Sequence, residues 1–210
     1  GYQCRTSAVG RHSPLWLKAP ISTPIHSIPF STPNNEEVYP VNDRLQVLLV
    51  KQDIYELSCK YMRGLDRLDE ALLVSVFFED GWCDYGFTSG SPAQFAHYCI
   101  TALRSHAANQ HMIGNVLIDV EGDEAFGEVY FNAYHKVEGE HGFEDIIIAG
   151  RYLDRYERRG GIWKFAYRSE RVDWSRTQPT CDTYFDLAPD CLRGGRGDDF
   201  VYDRVNRRRK

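Results

Sequence analysis

At His111 the spacing of apolar residues changes from three and four to two, and this switch limits the folds open to the chain. Four alternating segments follow: His111 to Val120, Glu124 to Val137, Glu144 to Arg158 and Ile162 to Trp174. Glu121-Gly122-Asp123 and Arg159-Gly160-Gly161 are tight hairpin signals between them. Long strands joined hairpin to hairpin form an antiparallel meander, because a parallel neighbour needs a crossover of a dozen or more residues.

Before the switch the chain reads as helical. Asp43 is a candidate N-cap for a helix carrying Leu45, Leu48, Leu49, Gln52, Leu57 and Tyr61 on one face, with Gly64 ending or interrupting it. A second short helix places Leu68, Leu72, Leu73, Val76 and Phe77 together, closed by Asp80-Gly81, and Trp82 to Phe87 reads as a brief strand. Ser91-Pro92-Ala93-Gln94 is a capping box with proline at the first helical position, opening a helix to about Ala108. Helices first and a meander afterwards predict an α+β fold, with helices packed on a strongly curved, mostly antiparallel sheet.

With 210 residues, 42% of them hydrophobic, the chain can bury one core. No run of 18 apolar residues exists, so no membrane helix is expected and a cytoplasmic location is. A net charge of -5 lacks the basic footprint of a nucleic-acid-binding domain. Six cysteines show no CxxC pair or zinc spacing, so no metal is expected; Cys181 and Cys191 are close enough in sequence for a disulfide to be conceivable. Residues 1–41, with six of the nine prolines, read as an extended arm, 42–176 as the folded domain, and 177–210 as an irregular polar tail ending in a solvated basic run.

Candidate chemistry centres on the first long strand. Strict alternation puts His111, Ile113, Asn115 and Leu117 on one face, and a buried imidazole and amide there need partners. Tyr61-Met62-Arg63-Gly64-Leu65-Asp66 brings a phenol and a carboxylate to the end of the helical face. A carboxylate beside an imidazole fixes its tautomer and raises its basicity, the arrangement of a general base with its orienter. Asp69, one helical turn on, is an alternative to Asp66 for this place. Tyr85 adds a second phenol, and Arg168 lies in the last strand beside Ala166 and Glu170.

The Tyr61-x4-Asp66 segment, the Asp84-Tyr85-Gly86 strand, the His111-x3-Asn115 strand, and the Gly150-Arg151-Tyr152 to Trp163-Lys164-Phe165 hairpin together resemble the SnoaL-like branch of the nuclear-transport-factor-2-like fold. That branch contains scytalone dehydratase, bile acid 7α-dehydratase and γ-hexachlorocyclohexane dehydrochlorinase, and Tyr156 to Phe165 is similar to the last. The resemblance covers about Asn42 to Trp174. It implies a cone-shaped α+β barrel around an apolar pocket, a homo-oligomer with a trimer favoured, and cofactor-independent elimination from a small hydrophobic substrate. By the same resemblance Asp66 and His111 would be a catalytic dyad, Tyr61 and Tyr85 would bond the substrate oxygen, Asn115 would match an asparagine after the histidine, and Arg168 would face the cavity. Scytalone dehydratase uses a second histidine; His135 lies on a different strand, so scytalone is not the expected substrate. A noncatalytic binding or scaffold subunit, and an isomerase or hydrolase in the same pocket, are the alternative readings.

Overall fold

The computed structural model describes residues 41–208; the proline-rich arm lies outside the described residues. Three helices, α1 (Val41–Arg67), α2 (Glu70–Ser75) and α3 (Pro92–Arg104), pack on a six-stranded sheet. Its strands are β1 (Phe77–Asp84), β2 (Ser89–Gly90), β3 (Ala108–Glu121), β4 (Glu124–Gly139), β5 (Gly142–Arg159) and β6 (Ile162–Pro179). The spatial order is β2-β1-β6-β5-β4-β3, antiparallel except where β1 runs parallel to β6. Among the described residues β2 and β3 are the edges of the sheet, so the curved sheet is open and does not close into the barrel that the resemblance implies.

Helix α1 buries Ile54, Leu57, Ser58, Tyr61, Met62, Leu65 and Asp66, a stripe at helical period that faces the sheet. Each large apolar side chain buried there contributes about 1.5–3 kcal/mol. Opposite lie Val129, Phe131 and Ala133 of β4, Tyr152 and Tyr156 of β5 and Phe165 of β6, with Phe95, Ile100 and Leu103 of α3 closing the core. Leu45, Leu48 and Leu49, expected on the buried face, stand exposed, and Leu48 borders a surface groove with Val116 to Asp119 of β3.

Gly64 does not stop α1. A Cβ at this position would lie 3.0 Å from the Leu73 Cβ and 3.1 Å from its Cα, so the glycine lets α1 and α2 touch. Helix α2 is shorter than its apolar period suggests, ending at Ser75. Sheet pairing takes over there: the Phe165 amide donates to the Val76 carbonyl at 3.0 Å and Phe77 pairs with Phe165. Asp69 is the N-cap of α2, accepting from the Leu72 amide at 2.9 Å. At α3 the capping box forms: the Ser91 hydroxyl accepts from the Gln94 amide, and the Gln94 side chain from the Ser91 amide.

The four long strands follow the sequence reading to within a few residues, except that β6 continues to Pro179, into the expected tail. Beyond it lie the short helical turns Tyr184–Leu187, Phe200–Tyr202 and Arg204–Arg207. Cys181 and Cys191 are both free thiols. Among the described residues, no helix is long and apolar enough to cross a membrane.

Three bulges along the β3–β6 meander bend the sheet and break strict alternation. Between Ile113 and Val116 of β3 there is one residue more than on β4 opposite; between Tyr156 and Arg155 of β5, β6 carries the extra residue at Ala166; and at Ala149 and Gly150 it carries Asp173. Gly150 is required by the last of these, since an added Cβ would sit 2.1 Å from the Arg171 carbonyl oxygen. Gly150→Ala is expected to cost at least about 1–3 kcal/mol, the range of an overpacked core, read as a lowered midpoint in urea unfolding.

Candidate active site

The C-terminal turn of α1 meets the edge strand β3 through Asp66. One carboxylate oxygen accepts from His111 Nδ1 at 2.7 Å, from Asn109 Nδ2 at 3.0 Å and from the His111 backbone amide at 3.0 Å; the other lies 3.1 Å from the same amide. A carboxylate can only accept, so His111 Nδ1 carries the proton and Nε2 is left as the basic nitrogen. Of the two candidate carboxylates, Asp66 is the one turned inward, because Asp69 is committed to capping α2 and to the Tyr202 hydroxyl at 2.9 Å.

His111 borders a cavity of about 280 Å³, at the small end of ligand pockets. Its walls are mainly apolar and aromatic, with polar groups converging from different elements: Tyr61 of α1, Tyr85 after β1, His135 of β4, and Tyr152 and Glu170 of β5 and β6. The Tyr61 and Tyr85 hydroxyls are 2.5 Å apart, so one donates to the other and the second keeps its proton for another acceptor. Burial pushes both phenols well above their ordinary range and keeps them protonated. Asp66 and His111 also border an outer groove of about 440 Å³ between α1, β3 and residues 199–201. The inner cavity is the stronger candidate, since only there do hydroxyls and imidazoles converge on an apolar space.

Two expected residues stand elsewhere. Asn115 is exposed: the bulge after Ile113 reverses the parity of β3, so Val116 and Ile118 turn inward in place of Asn115 and Leu117. Arg168 is fully buried but does not line the cavity. Its guanidinium donates through Nε and Nη2 to the two Asp154 oxygens, each at 2.8 Å, and lies 4.2–4.3 Å from the Tyr61, Tyr152 and Phe165 ring centres. Tyr156 also donates to Asp154 at 2.8 Å. Arg168 thus supports the aromatic wall from behind.

His135 is buried on β4, beside the dyad. Its ring meets His111 edge to face, with centres 5.1 Å apart, and its Nδ1 lies 3.2 Å from His106 Nδ1. Burial, reinforced by the neighbouring His111 and His106, pushes its pKa down to about 3. The His106 ring packs edge to face against His135, with centres 5.0 Å apart. Glu170 is the other residue that reading by motif passes over; burial raises its carboxyl pKa to about 7 despite Arg168 nearby.

The segment after β6 is tied to the same corner. Arg196 donates to the carbonyls of Leu103 at 3.1 Å and His106 at 2.8 Å, at the C-terminal end of α3, and to the Asn109 side-chain oxygen. Arg67 donates to the Gly195 carbonyl at 2.6 Å, and the Gly197 amide to the Arg67 carbonyl at 2.7 Å. Through Asn109 this strap reaches the Asp66 carboxylate.

Two outcomes are expected. Arg168→Ala strands a buried carboxylate and should cost about 3–5 kcal/mol in denaturant unfolding, whereas Arg168→Met with Asp154→Leu, which removes both charges, should recover most of it. His135 has its folded pKa depressed below the ordinary 6.5, so its contribution is complete above that value and is lost as pH falls toward 3, when only the unfolded chain takes up the proton. The loss of melting temperature on going from about pH 7 to about pH 5 should therefore be smaller in His135→Gln than in the native chain, as calorimetry would record.

Comparison with known proteins bears on this geometry. The family model described as a SnoaL-like domain matches residues 46–169, more than half of the chain. No curated protein matches it. Among solved structures, a type 2 hexachlorocyclohexane dehydrochlorinase (LinA) is 20% identical with a TM-score of 0.60, over 67% of this chain and 98% of that one. The LinA-type3 dehydrochlorinase of Novosphingobium barchaimii is 22% identical with a TM-score of 0.59, over 66% and 96%. A putative scytalone dehydratase from Novosphingobium aromaticivorans is 22% identical with a TM-score of 0.57, over 66% and 93%. These likenesses concern the fold; the family match, spanning α1 to β6, makes the chain a member of the SnoaL-like domain family.

Proposed function

We propose that the protein is a cofactor-independent lyase in which His111 and Asp66 remove a proton from a small hydrophobic cyclic substrate. The observation that carries this reading is an imidazole held at Nδ1 by a carboxylate 2.7 Å away, on the wall of an apolar cavity. Nε2 takes the proton from a carbon next to a carbonyl, and Asp66 balances the imidazolium that forms. The Tyr61 and Tyr85 pair offers its free hydroxyl proton to the carbonyl oxygen as charge builds there. The electrons of the broken C–H bond form a double bond, and the group on the next carbon leaves.

A purely structural pair would face side chains, whereas His111 of this one borders open space of about 280 Å³, which favours an enzyme over a scaffold subunit. Two further proposals accompany the reading. Met112, Leu117, Phe126, Tyr130, Leu153 and Trp174 are exposed on the outer face of the sheet, which supports a homo-oligomer, a trimer being favoured. The five described cysteines are free, as in the reducing cytoplasm.

His111→Ala is expected to lower turnover of cyclic β-hydroxy or β-halo ketones by about 10²–10⁴-fold, followed by absorbance of the enone product, and to lower the melting temperature through the lost bond to Asp66 while the chain stays folded by circular dichroism. Undiminished turnover would overturn the assignment, and a product that retains its leaving group would shift the reading to an isomerase.

A further inference from the structure

The elimination reading supplies a base but leaves the fate of the departing group open. The wall of the cavity addresses this. His111 and His135 come from β3 and β4, and Glu170 from β6, on the other side of β5 from β4. The curved sheet brings all three to one apolar space. Glu170 pairs across strands with Tyr152, and among the described residues its carboxyl group makes no hydrogen bond or ion pair. Tyr152 of β5, Tyr85 after β1, Cys99 of α3 and Arg168 of β6 are the titratable and charged groups near it. Arg168 is the only cation among them, and its guanidinium is committed to Asp154. Among the described residues, no lysine or arginine lines the cavity.

Two leaving groups make opposite demands on such a wall. A halide departs as an anion without a proton and is stabilised by a cation or a fixed positive dipole. A hydroxyl group departs readily only as water, and so needs a proton at the moment the C–O bond breaks. A carboxyl group without a cationic partner, in an apolar wall that carries no cation, meets the second demand and not the first.

We propose that Glu170 is the catalytic acid of the site and that the substrate class is therefore a cyclic β-hydroxy carbonyl compound, dehydrated in place. The proposal rests on the elimination reading and narrows it from dehydration or dehydrohalogenation to dehydration. His111 Nε2 takes the proton from the carbon beside the carbonyl, and the C–H electron pair becomes the new C=C bond. The C–O bond breaks, its electron pair stays on oxygen, and that oxygen takes the Glu170 proton to leave as water. The imidazolium then gives its proton to solvent and the Glu170 carboxylate takes one back, so no oxidant, reductant or metal enters the balance. Burial that holds the carboxyl pKa near 7 keeps a large protonated fraction available at neutral pH.

The test compares β-hydroxycyclohexanone with β-chlorocyclohexanone in the native protein, His111→Ala and Glu170→Gln, together with an infrared titration of the protonated carboxyl band in the native protein and Glu170→Gln. The ratio of water loss to chloride loss should fall about a hundredfold in Glu170→Gln, while His111→Ala lowers both. The carboxyl band should be present at about pH 6, absent at about pH 9, and missing from Glu170→Gln at both. Turnover with an unchanged ratio in Glu170→Gln, or a band already lost by about pH 5, overturns the acid assignment alone, and the band decides this even if the variant fails to fold. A native protein inert on both ketones but carrying the band overturns the elimination reading, and the acid role falls with it.

Discussion

The N–H groups on the outer side of an edge strand have no neighbouring strand to bond, and β3 is such an edge. At His111 the donor is taken up by Asp66 from the last turns of α1, which also accepts from the side chains of His111 and Asn109. One carboxylate thus ties the main helix to the sheet, shields the open edge at this point, and sets the tautomer of the imidazole. Fold and chemistry share this joint, so Asp66 cannot be altered for one without disturbing the other. Arg196 extends the arrangement by binding Asn109 from the far side while bonding the last carbonyls of α3. The strap, the end of α3 and the dyad are therefore linked through consecutive hydrogen bonds.

A second buried arrangement holds the opposite wall. Arg168 and Asp154 pair in two parallel hydrogen bonds, and the guanidinium lies among the rings of Tyr61, Tyr152 and Phe165. Among the described residues its Nη1 has no partner, and the side chain is fully buried. Such a pair gives little net stability over an apolar replacement, yet either half alone would be costly. Its structural effect is to set the tilt of the tyrosines whose hydroxyl groups reach the cavity.

The sequence is most legible where local rules act alone. The capping box at Ser91, the hairpins after Glu121 and Arg159, and the helical stripe from Leu57 to Tyr61 all form as their residues dictate. Parity is where reading by period fails, because a bulge adds one residue and turns the rest of the strand over. Asn115 leaves the cavity face for that reason. At Ala166 a bulge turns Arg168 to the same side of the sheet as Trp163 and Phe165, which strict alternation places opposite it. His135 and Glu170 are each an isolated polar residue in a strand: the pairing of β3 with β4, which sets Asn109 opposite His135, puts His135 diagonally beside His111, and the curvature of the sheet brings Glu170 to the same cavity. The signal present in the sequence was their position on strands otherwise lined with apolar residues, which a two-residue period could register but not assign to a shared space. Asp66 over Asp69 was likewise decided by capping geometry that spacing alone does not contain.

The distribution of charge around the cavity follows a consistent division. The ions Asp66, Asp154, Arg168 and Arg196 all sit one layer back from the open space, each held by hydrogen bonds to partners there. The groups that face the space and have shifted pKa values are all shifted toward their neutral forms: His135 downward, and Tyr61, Tyr85, Tyr152 and Glu170 upward. Desolvation is the first cause in every case, so the apolar wall itself selects neutral proton carriers. A neutral wall cannot grip an ionic ligand, but it can pass protons to and from an uncharged one, with the buried carboxylate behind His111 absorbing the charge that develops. The proposal of an uncharged, small and apolar ligand therefore follows from where the ions sit, and it does not depend on which group of that ligand departs.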